Sequence, residues 1–120
     1  MKKYYLAYGS NLNLKIMKQR CNDSKFIDTT SLKDYRLVYK GITNHSAFLT
    51  IEKSVGYYVP LGIYEISDKD ERLLDYLEGV PLLYYKHHIY IEKLHGNALI
   101  YIMNNDYDYI KTITTKHSFN

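Results

Sequence analysis

Three small residues, Gly9, Ser10 and Asn11, lie between an apolar run that ends at Tyr8 and a helical pattern that follows. A glycine between a strand and a helix lets a ligand approach the backbone closely. The first N–H groups of a helix lack partners within it, and the helix dipole favours a negative charge there. The turn is therefore a candidate seat for a carboxylate or phosphate. The alternative is a turn that only caps its helix.

Glu78 is the second candidate, because it lies in the last turn of the clearest helical pattern, directly before Gly79. The negative end of the helix dipole disfavours its charged form, and partial burial would raise its pKa further. A carboxyl group with a raised pKa suits general acid/base catalysis near neutral pH. The alternative is an exposed helix-end glutamate without a catalytic role.

The other residues with reactive side chains are weaker candidates. His87 and His88 are adjacent on a predicted strand, so they face opposite sides and cannot bind one metal ion together. Asp75 shares a helical face with Glu78 and could raise its pKa by repulsion, but a solvated helix face explains it equally well. Cys21 has no base nearby in the sequence and is expected to pack in the core. We therefore predict no metal site and leave Asp75 out of the catalytic set.

The elements that must position the loop and Glu78 follow from periodicity. We predict a short helix over Leu12–Gln19, capped by Asn11 or Asn13, and a second helix that begins at Ser67 and stops at Gly79. Leu73, Leu74 and Leu77 are its predicted apolar face. The predicted strands are 3–8, 25–31, 35–40, 47–53, 58–66, 84–93 and 97–103, the last two forming a hairpin. Two helices among many strands indicate an α+β fold with a mostly antiparallel sheet or small barrel.

Composition limits the function classes. The 120 residues fit one domain over 1–120, in which the tail from about residue 104 has no clear pattern. The net charge is only +3 and the basic residues are scattered along the sequence, so no positively charged surface for nucleic-acid binding is predicted. The fifteen tyrosines are assigned to packing within strands rather than to base stacking. One cysteine, no signal-peptide core and no run of about 20 apolar residues predict a cytoplasmic protein without a membrane segment.

Two motifs in this order resemble the gamma-glutamylcyclotransferase-like family. Tyr-Gly-Ser-Asn-Leu occupies residues 8–12 after the first strand, and Leu-Asp-x-x-Glu-Gly occupies residues 74–79. The stretches "GIYEI", "VPLLYYKHHIYIEK" and "ALIYIM" extend the resemblance over roughly residues 4–103. It implies a small mixed, mostly antiparallel, barrel-like sheet flanked by helices, with one cavity between the two motifs.

The resemblance also implies an activity, which is the release of 5-oxoproline from gamma-glutamyl compounds without a metal or organic cofactor. By matching position, the loop Tyr8, Gly9, Ser10, Asn11 and Leu12 would hold the glutamyl alpha-carboxylate, and Glu78 would be the catalytic acid/base. The expected partner is a small-molecule gamma-glutamyl substrate, with no nucleic acid and no membrane. The alternative is a binding module that senses or sequesters a small anion in the same pocket.

Some features stay open at this stage. Strand alternation lets only one of Tyr84 and Tyr85 face the pocket. After residue 103 the chain has seventeen residues without glycine or proline, so the wall that selects the leaving group is undefined. The sequence does not identify the leaving group or the oligomeric state.

Overall fold

The computed structural model describes residues 2–43, 46–104 and 113–114. The described residues form six strands and two α-helices. In chain order these are β1 (Lys3–Ala7), α1 (Leu14–Arg20), β2 (Lys25–Thr43), β3 (Ser46–Ile66), α2 (Asp68–Leu77), β4 (Tyr84–Ile91), β5 (Gly96–Met103) and β6 (Ile113–Thr114). Most of the tail that the sequence left open lies outside the described residues.

The six strands form one sheet in the order β4-β5-β1-β3-β2-β6. The pair β1 and β5 is parallel, and the other four pairs are antiparallel. The predicted α+β class with a mixed, mostly antiparallel sheet is therefore confirmed. With β4 and β6 at its two edges, the sheet is open, so "barrel-like" describes only its curvature. That curvature brings β5 to the start of β3, where the Met103 N–H donates to Thr50 Oγ1 at 2.9 Å.

The long β2–β3 hairpin corrects the predicted strand boundaries. Four short strands were expected over residues 25–66, whereas the structure has two strands of 19 and 21 residues. The predicted break around Asp34 is a register shift between Lys33 and Tyr35 within a continuous strand. Asp34 adopts a positive φ of 65°, and its carboxylate accepts from the Gly56 N–H at 3.0 Å. Asp34 itself has no partner in the ladder, and this contact ties it to the facing strand.

The helix α2 begins and ends as its sequence predicts. The Ser67 side chain accepts from the Asp70 N–H, and the Asp70 side chain accepts from the Ser67 N–H, which is a capping box. At the other end Gly79 has a φ of 63°, and the Val80 N–H donates to the Asp75 carbonyl at 3.0 Å, as in a Schellman motif.

The predicted apolar face of α2 is only partly correct. Leu74 is fully buried, but Leu73 is 38% and Leu77 is 47% exposed. The helix therefore covers the sheet with a narrower face than its three leucines indicated.

Both faces of the sheet carry a core, because successive residues of a strand point to opposite sides. In β1, Tyr5 and Ala7 pack with Met17 of α1 and Leu74 of α2, whereas Leu6 packs on the opposite face. That second core is lined by Ile51, Val59, Leu61, Ile63, Ile91, Ala98, Ile100 and Ile102. The position of β1 between two cores fixes the point at which the loop after it emerges.

Cys21 follows α1 and is fully buried in the first core. Burial raises the pKa of its thiol to about 11. A thiol with a raised pKa is a poor nucleophile at neutral pH. Its predicted packing role is confirmed.

Candidate active site

A cavity of about 180 Å³ opens where β1 ends. Its walls come from β1 and the loop after it, from the start of β3, from the end of α2, and from β4 and β5. The lining residues are Tyr5, Leu6, Tyr8, Gly9, Ser10, Asn11, Leu49, Glu78, Tyr84 and Tyr101. The structure therefore brings the two sequence motifs to one cavity, although almost seventy positions separate them along the chain.

The loop after β1 forms one turn of 3-10 helix over Ser10–Leu12 before α1 begins at Leu14. The Leu12 N–H donates to the Gly9 carbonyl at 2.9 Å, so the N–H groups of Ser10 and Asn11 precede the first bond of this turn. The predicted start of the helix at Leu12 is thus corrected to Leu14. Asn13 rather than Asn11 caps α1, because its side chain accepts from the N–H groups of the first turn.

Four of the five predicted loop residues line the cavity, namely Tyr8, Gly9, Ser10 and Asn11. Leu12 does not line it, although its backbone closes the turn. Its side chain is 41% exposed and lies toward Gly62, where a Cβ would meet Leu12 Cδ2 at 3.2 Å. The structure therefore does not bring the Leu12 side chain to the site.

Glu78 is the C-terminal cap of α2, and its half-buried carboxyl group faces the cavity. Burial raises its pKa above the ordinary value of 4.5, and the positive charge of Arg20 partly opposes that rise. Burial is therefore the main cause of the raised pKa. The expectation from the sequence rested first on the helix dipole. Among the described residues, no side chain or N–H donates to this carboxylate. It is therefore available to a group in the cavity.

Arg20 is a site residue that sequence reasoning missed. It is the last residue of α1, and its Nη1 donates to Ser10 Oγ at 3.0 Å and to Asn11 Oδ1 at 2.6 Å. A basic residue at a helix C-terminus is common for dipole reasons alone, so its sequence position gave no signal. In the fold it supports the loop and lies near enough to Glu78 to influence its pKa.

The tyrosines of the site settle an open alternative. Tyr84 is buried and lines the cavity, where its hydroxyl donates to the Leu49 carbonyl at 2.5 Å. Tyr85 is 39% exposed and lines a different depression on the opposite face, beside His87. Tyr8 uses its hydroxyl in the same way as Tyr84, donating to the Tyr101 carbonyl at 2.5 Å.

Asp75, which was left out of the predicted catalytic set, does not line the cavity. Its carboxylate accepts from the Tyr101 hydroxyl at 2.7 Å and from Lys86 Nζ at 2.9 Å. Lys86 also pairs with Glu71. These contacts form a half-buried polar network behind the tyrosine wall.

The residues that the structure describes contain no group of three or more His, Cys, Asp or Glu side chains that could hold a metal ion. His87 and His88 are both exposed, and they line depressions on different sides of β4. Over the same residues, no helix has the length and apolarity that a membrane crossing requires.

Comparison with known proteins identifies a family that the chain matches. Residues 5–118 match the model of the family "Gamma-glutamyl cyclotransferase, AIG2-like". No protein of curated function matches the chain significantly by sequence.

Solved structures with the same fold share little sequence with the chain. A structure named gamma-glutamyl cyclotransferase is 23% identical with a TM-score of 0.71, over 87% of this chain and 68% of that one. The ytfP protein of Escherichia coli is 21% identical with a TM-score of 0.62, over 92% and 91%. The allophanate hydrolase of Kluyveromyces lactis is 15% identical with a TM-score of 0.67, over 98% of this chain and 20% of the hydrolase.

The family match spans nearly the whole chain and includes both cavity motifs. The chain therefore belongs to the AIG2-like gamma-glutamyl cyclotransferase family.

Proposed function

We propose that the protein is a gamma-glutamyl cyclotransferase, which converts the gamma-glutamyl group of a small peptide or amine to 5-oxoproline and releases the amine. The observation that carries this proposal is the position of Glu78. A half-buried carboxylate with a raised pKa and no donor among the described residues faces the same cavity as the Gly9–Asn11 loop. Buried carboxylates without a structural partner are costly, so one that faces a cavity is a functional candidate.

The loop supports the binding of the glutamyl alpha-carboxylate. The N–H groups of Ser10 and Asn11 have no acceptor within the turn that they begin, and Gly9 has no side chain to fill the adjacent space. Backbone donors of this kind bind anions without the conformational cost of long side chains. The guanidinium of Arg20 adds positive charge behind the same loop.

The chemistry requires two proton movements that Glu78 can serve. The substrate alpha-nitrogen attacks the gamma-carbonyl carbon, a C–N bond forms to close the five-membered ring, and the C–N bond to the leaving amine breaks. The alpha-ammonium group loses two protons in becoming the ring amide, and the leaving nitrogen gains two in becoming an ammonium ion. Glu78 carries one proton between the nitrogens, and the other is exchanged with water. Because the attack is intramolecular, folding the substrate in the cavity supplies much of the rate.

The direct test is to incubate the purified full chain with a panel of gamma-glutamyl amino acids, peptides and amines and to measure 5-oxoproline release. We expect turnover of at least one compound. Glu78→Gln keeps the shape of the side chain but cannot accept a proton, so kcat should fall by roughly two to four orders of magnitude with little change in ligand affinity. The matched control is Glu92→Gln, an exposed glutamate in the turn between β4 and β5.

The alternative function, a non-catalytic sensor or sink for a small anion, predicts a different pattern. In that case calorimetry would detect binding of a gamma-glutamyl compound to the wild type, and no 5-oxoproline would appear. Equal turnover by the wild type and Glu78→Gln would instead remove Glu78 from the mechanism.

A further inference from the structure

A chain of hydrogen bonds leads from Arg20 through Asn11 to the cavity. Arg20 Nη1 donates to Asn11 Oδ1 at 2.6 Å, and Asn11 Nδ2 donates to the Tyr5 hydroxyl oxygen at 3.0 Å. The Tyr64 hydroxyl donates to the Asn11 carbonyl at 2.8 Å and fixes its backbone. Asn11 is only 4% exposed, and both the oxygen and the nitrogen of its side-chain amide are hydrogen-bonded within the protein.

This chain has one possible direction. A guanidinium has only donors, so the atom of Asn11 that faces Arg20 must be the amide oxygen. The amide nitrogen therefore faces Tyr5 and donates to its hydroxyl oxygen. Because Tyr5 accepts this bond, the hydrogen of its own hydroxyl has to point elsewhere.

The hydroxyl hydrogen of Tyr5 has no acceptor among the described residues, and Tyr5 lines the cavity. The ring cannot turn away, because it is 4% exposed and lies between Tyr64 and Tyr101, with ring centroids at 6.3 and 5.8 Å. Burial raises the pKa of the Tyr5 hydroxyl, so it keeps its hydrogen at neutral pH. A buried donor without an acceptor costs free energy unless a bound group satisfies it.

We propose that the Tyr5 hydroxyl donates a hydrogen bond to the gamma-carbonyl oxygen of the substrate as that oxygen becomes an oxyanion, and that Arg20 is the positioning residue that sets this direction through Asn11. This inference rests on the proposed function. Glu78 exchanges protons with the nitrogens that bond to the attacked carbon, so this carbon must lie close to Glu78. Tyr5 lines the same small cavity as Glu78. The oxygen on the attacked carbon is therefore the acceptor that the reaction brings to the Tyr5 hydroxyl. A preorganised donor acts most strongly on the charge that develops in the transition state.

Tyr5→Phe removes the donor and keeps the ring. With the gamma-glutamyl compound that the wild type turns over best, we expect kcat to fall by about 100-fold. KM should rise by less than about tenfold, the worth of one neutral hydrogen bond in the ground state. A rise in KM with kcat unchanged would overturn the proposal, because the hydroxyl would then hold only the ground state.

The matched control is Tyr64→Phe. It removes another buried hydroxyl that bonds the same Asn11, but Tyr64 does not line the cavity. If Tyr64→Phe lowers kcat as much as Tyr5→Phe does, a looser loop rather than a lost donor explains the loss. Thermal unfolding of both variants checks that each is folded.

Arg20→Gln tests the positioning role with the Tyr5 ring and hydroxyl intact. Glutamine offers both a donor and an acceptor, so it no longer forces the Asn11 amide into one orientation. Measured at high pH, where Glu78 is fully ionised, kcat should fall by roughly tenfold, and the double variant with Tyr5→Phe should be little worse than Tyr5→Phe alone. Additive losses would show that Arg20 does not act through Tyr5.

Binding of 5-oxoproline separates failure of this inference from failure of the proposed function. The ring carbonyl of 5-oxoproline is the former gamma-carbonyl, so Tyr5→Phe should weaken calorimetric binding by roughly two- to tenfold, and Tyr64→Phe should not. If the wild type makes no product but shows this difference, the donor assignment stands and the enzyme assignment fails. Equal 5-oxoproline binding by the wild type and Tyr5→Phe would overturn the donor assignment, whatever the turnover.

Discussion

The Asp75 carboxylate accepts a hydrogen bond of 2.7 Å from the hydroxyl of Tyr101. Tyr101 is also one of the residues that line the cavity. Asp75 lies one helical turn before Glu78 on α2. The same helix end therefore presents one carboxylate to the cavity and a second one to the wall behind it, where Lys86 balances its charge.

Asp75→Ala should destabilise the protein by about 1–2 kcal/mol, because it leaves the Tyr101 hydroxyl without its acceptor and Lys86 with one partner fewer. Urea unfolding measures the change. As a control, Asp28→Ala removes an exposed carboxylate whose ion pair with Lys93 spans 3.2 Å, and it should cost clearly less. Equal losses would mean that the network around Asp75 adds nothing to an ordinary surface pair.

The acidic limb of the pH profile of kcat/KM should report Glu78. Burial raises the pKa of this carboxyl above 4.5, and the base must be ionised to accept a proton, so activity should fall as the pH drops through that raised value. Arg20→Gln removes the positive charge that lowers this pKa and should therefore shift the limb to higher pH. A limb that stays in place in Arg20→Gln would argue against Glu78 as the titrating group.

Glu78→Gln should also change how stability depends on pH. The folded-state pKa of Glu78 lies above its unfolded value, so the ionised carboxylate disfavours folding at neutral pH, and this penalty vanishes as the pH falls below 4.5. The variant cannot ionise. Its stability relative to the wild type should therefore be greater at neutral pH than at acidic pH, as measured by urea unfolding at both. Glu92→Gln, which removes an exposed carboxylate away from the cavity, serves as the control. An equal trend in both variants would show that the effect is not specific to Glu78.

Gly9→Val should weaken ligand binding by roughly 10- to 100-fold through overpacking of the cavity. A Cβ on Gly9 would lie 3.6 Å from Leu49 Cδ2, an ordinary contact, so the fold should tolerate the substitution while the valine methyl groups occupy ligand space. Gly9→Ala, which adds only the Cβ, should have a smaller effect. Calorimetry with a gamma-glutamyl compound and thermal unfolding measure the two properties. Undiminished binding to Gly9→Val would show that the carboxylate-binding site lies elsewhere.

The parts of the fold that follow from local sequence were predictable. The capping residue Ser67, the terminating Gly79 and the β4–β5 hairpin each depend on neighbours within a few positions. The continuity of β2 was not predictable, because Asp34 resembles a turn residue and is held in the strand by Gly56, 22 positions away. The width of the buried face of α2 was not predictable either, because it depends on which leucines the rest of the fold covers. Leu74 is fully buried, whereas Leu73 and Leu77 remain partly exposed.

The candidate site divides in the same way. The loop at Gly9 and the carboxylate of Glu78 could be predicted because each carries its chemistry within a short motif. Arg20 and Tyr5 could not, since the role of each depends on a hydrogen bond with Asn11, and side-chain hydrogen bonds leave no periodic signal in a sequence. The family resemblance supplied what spacing could not, namely that the two motifs share one cavity.

The hydrogen bonds from Tyr8 and Tyr84 to backbone carbonyls give the cavity a defined polarity. Each hydroxyl hydrogen is already committed, to the Tyr101 and Leu49 carbonyls respectively, so these two oxygens can offer only lone pairs to a ligand. Tyr5 offers the opposite, a hydrogen. A zwitterion such as an amino acid carries an ammonium group that only donates and a carboxylate that only accepts. A wall with both kinds of tyrosine therefore favours one orientation of such a ligand over the reversed one.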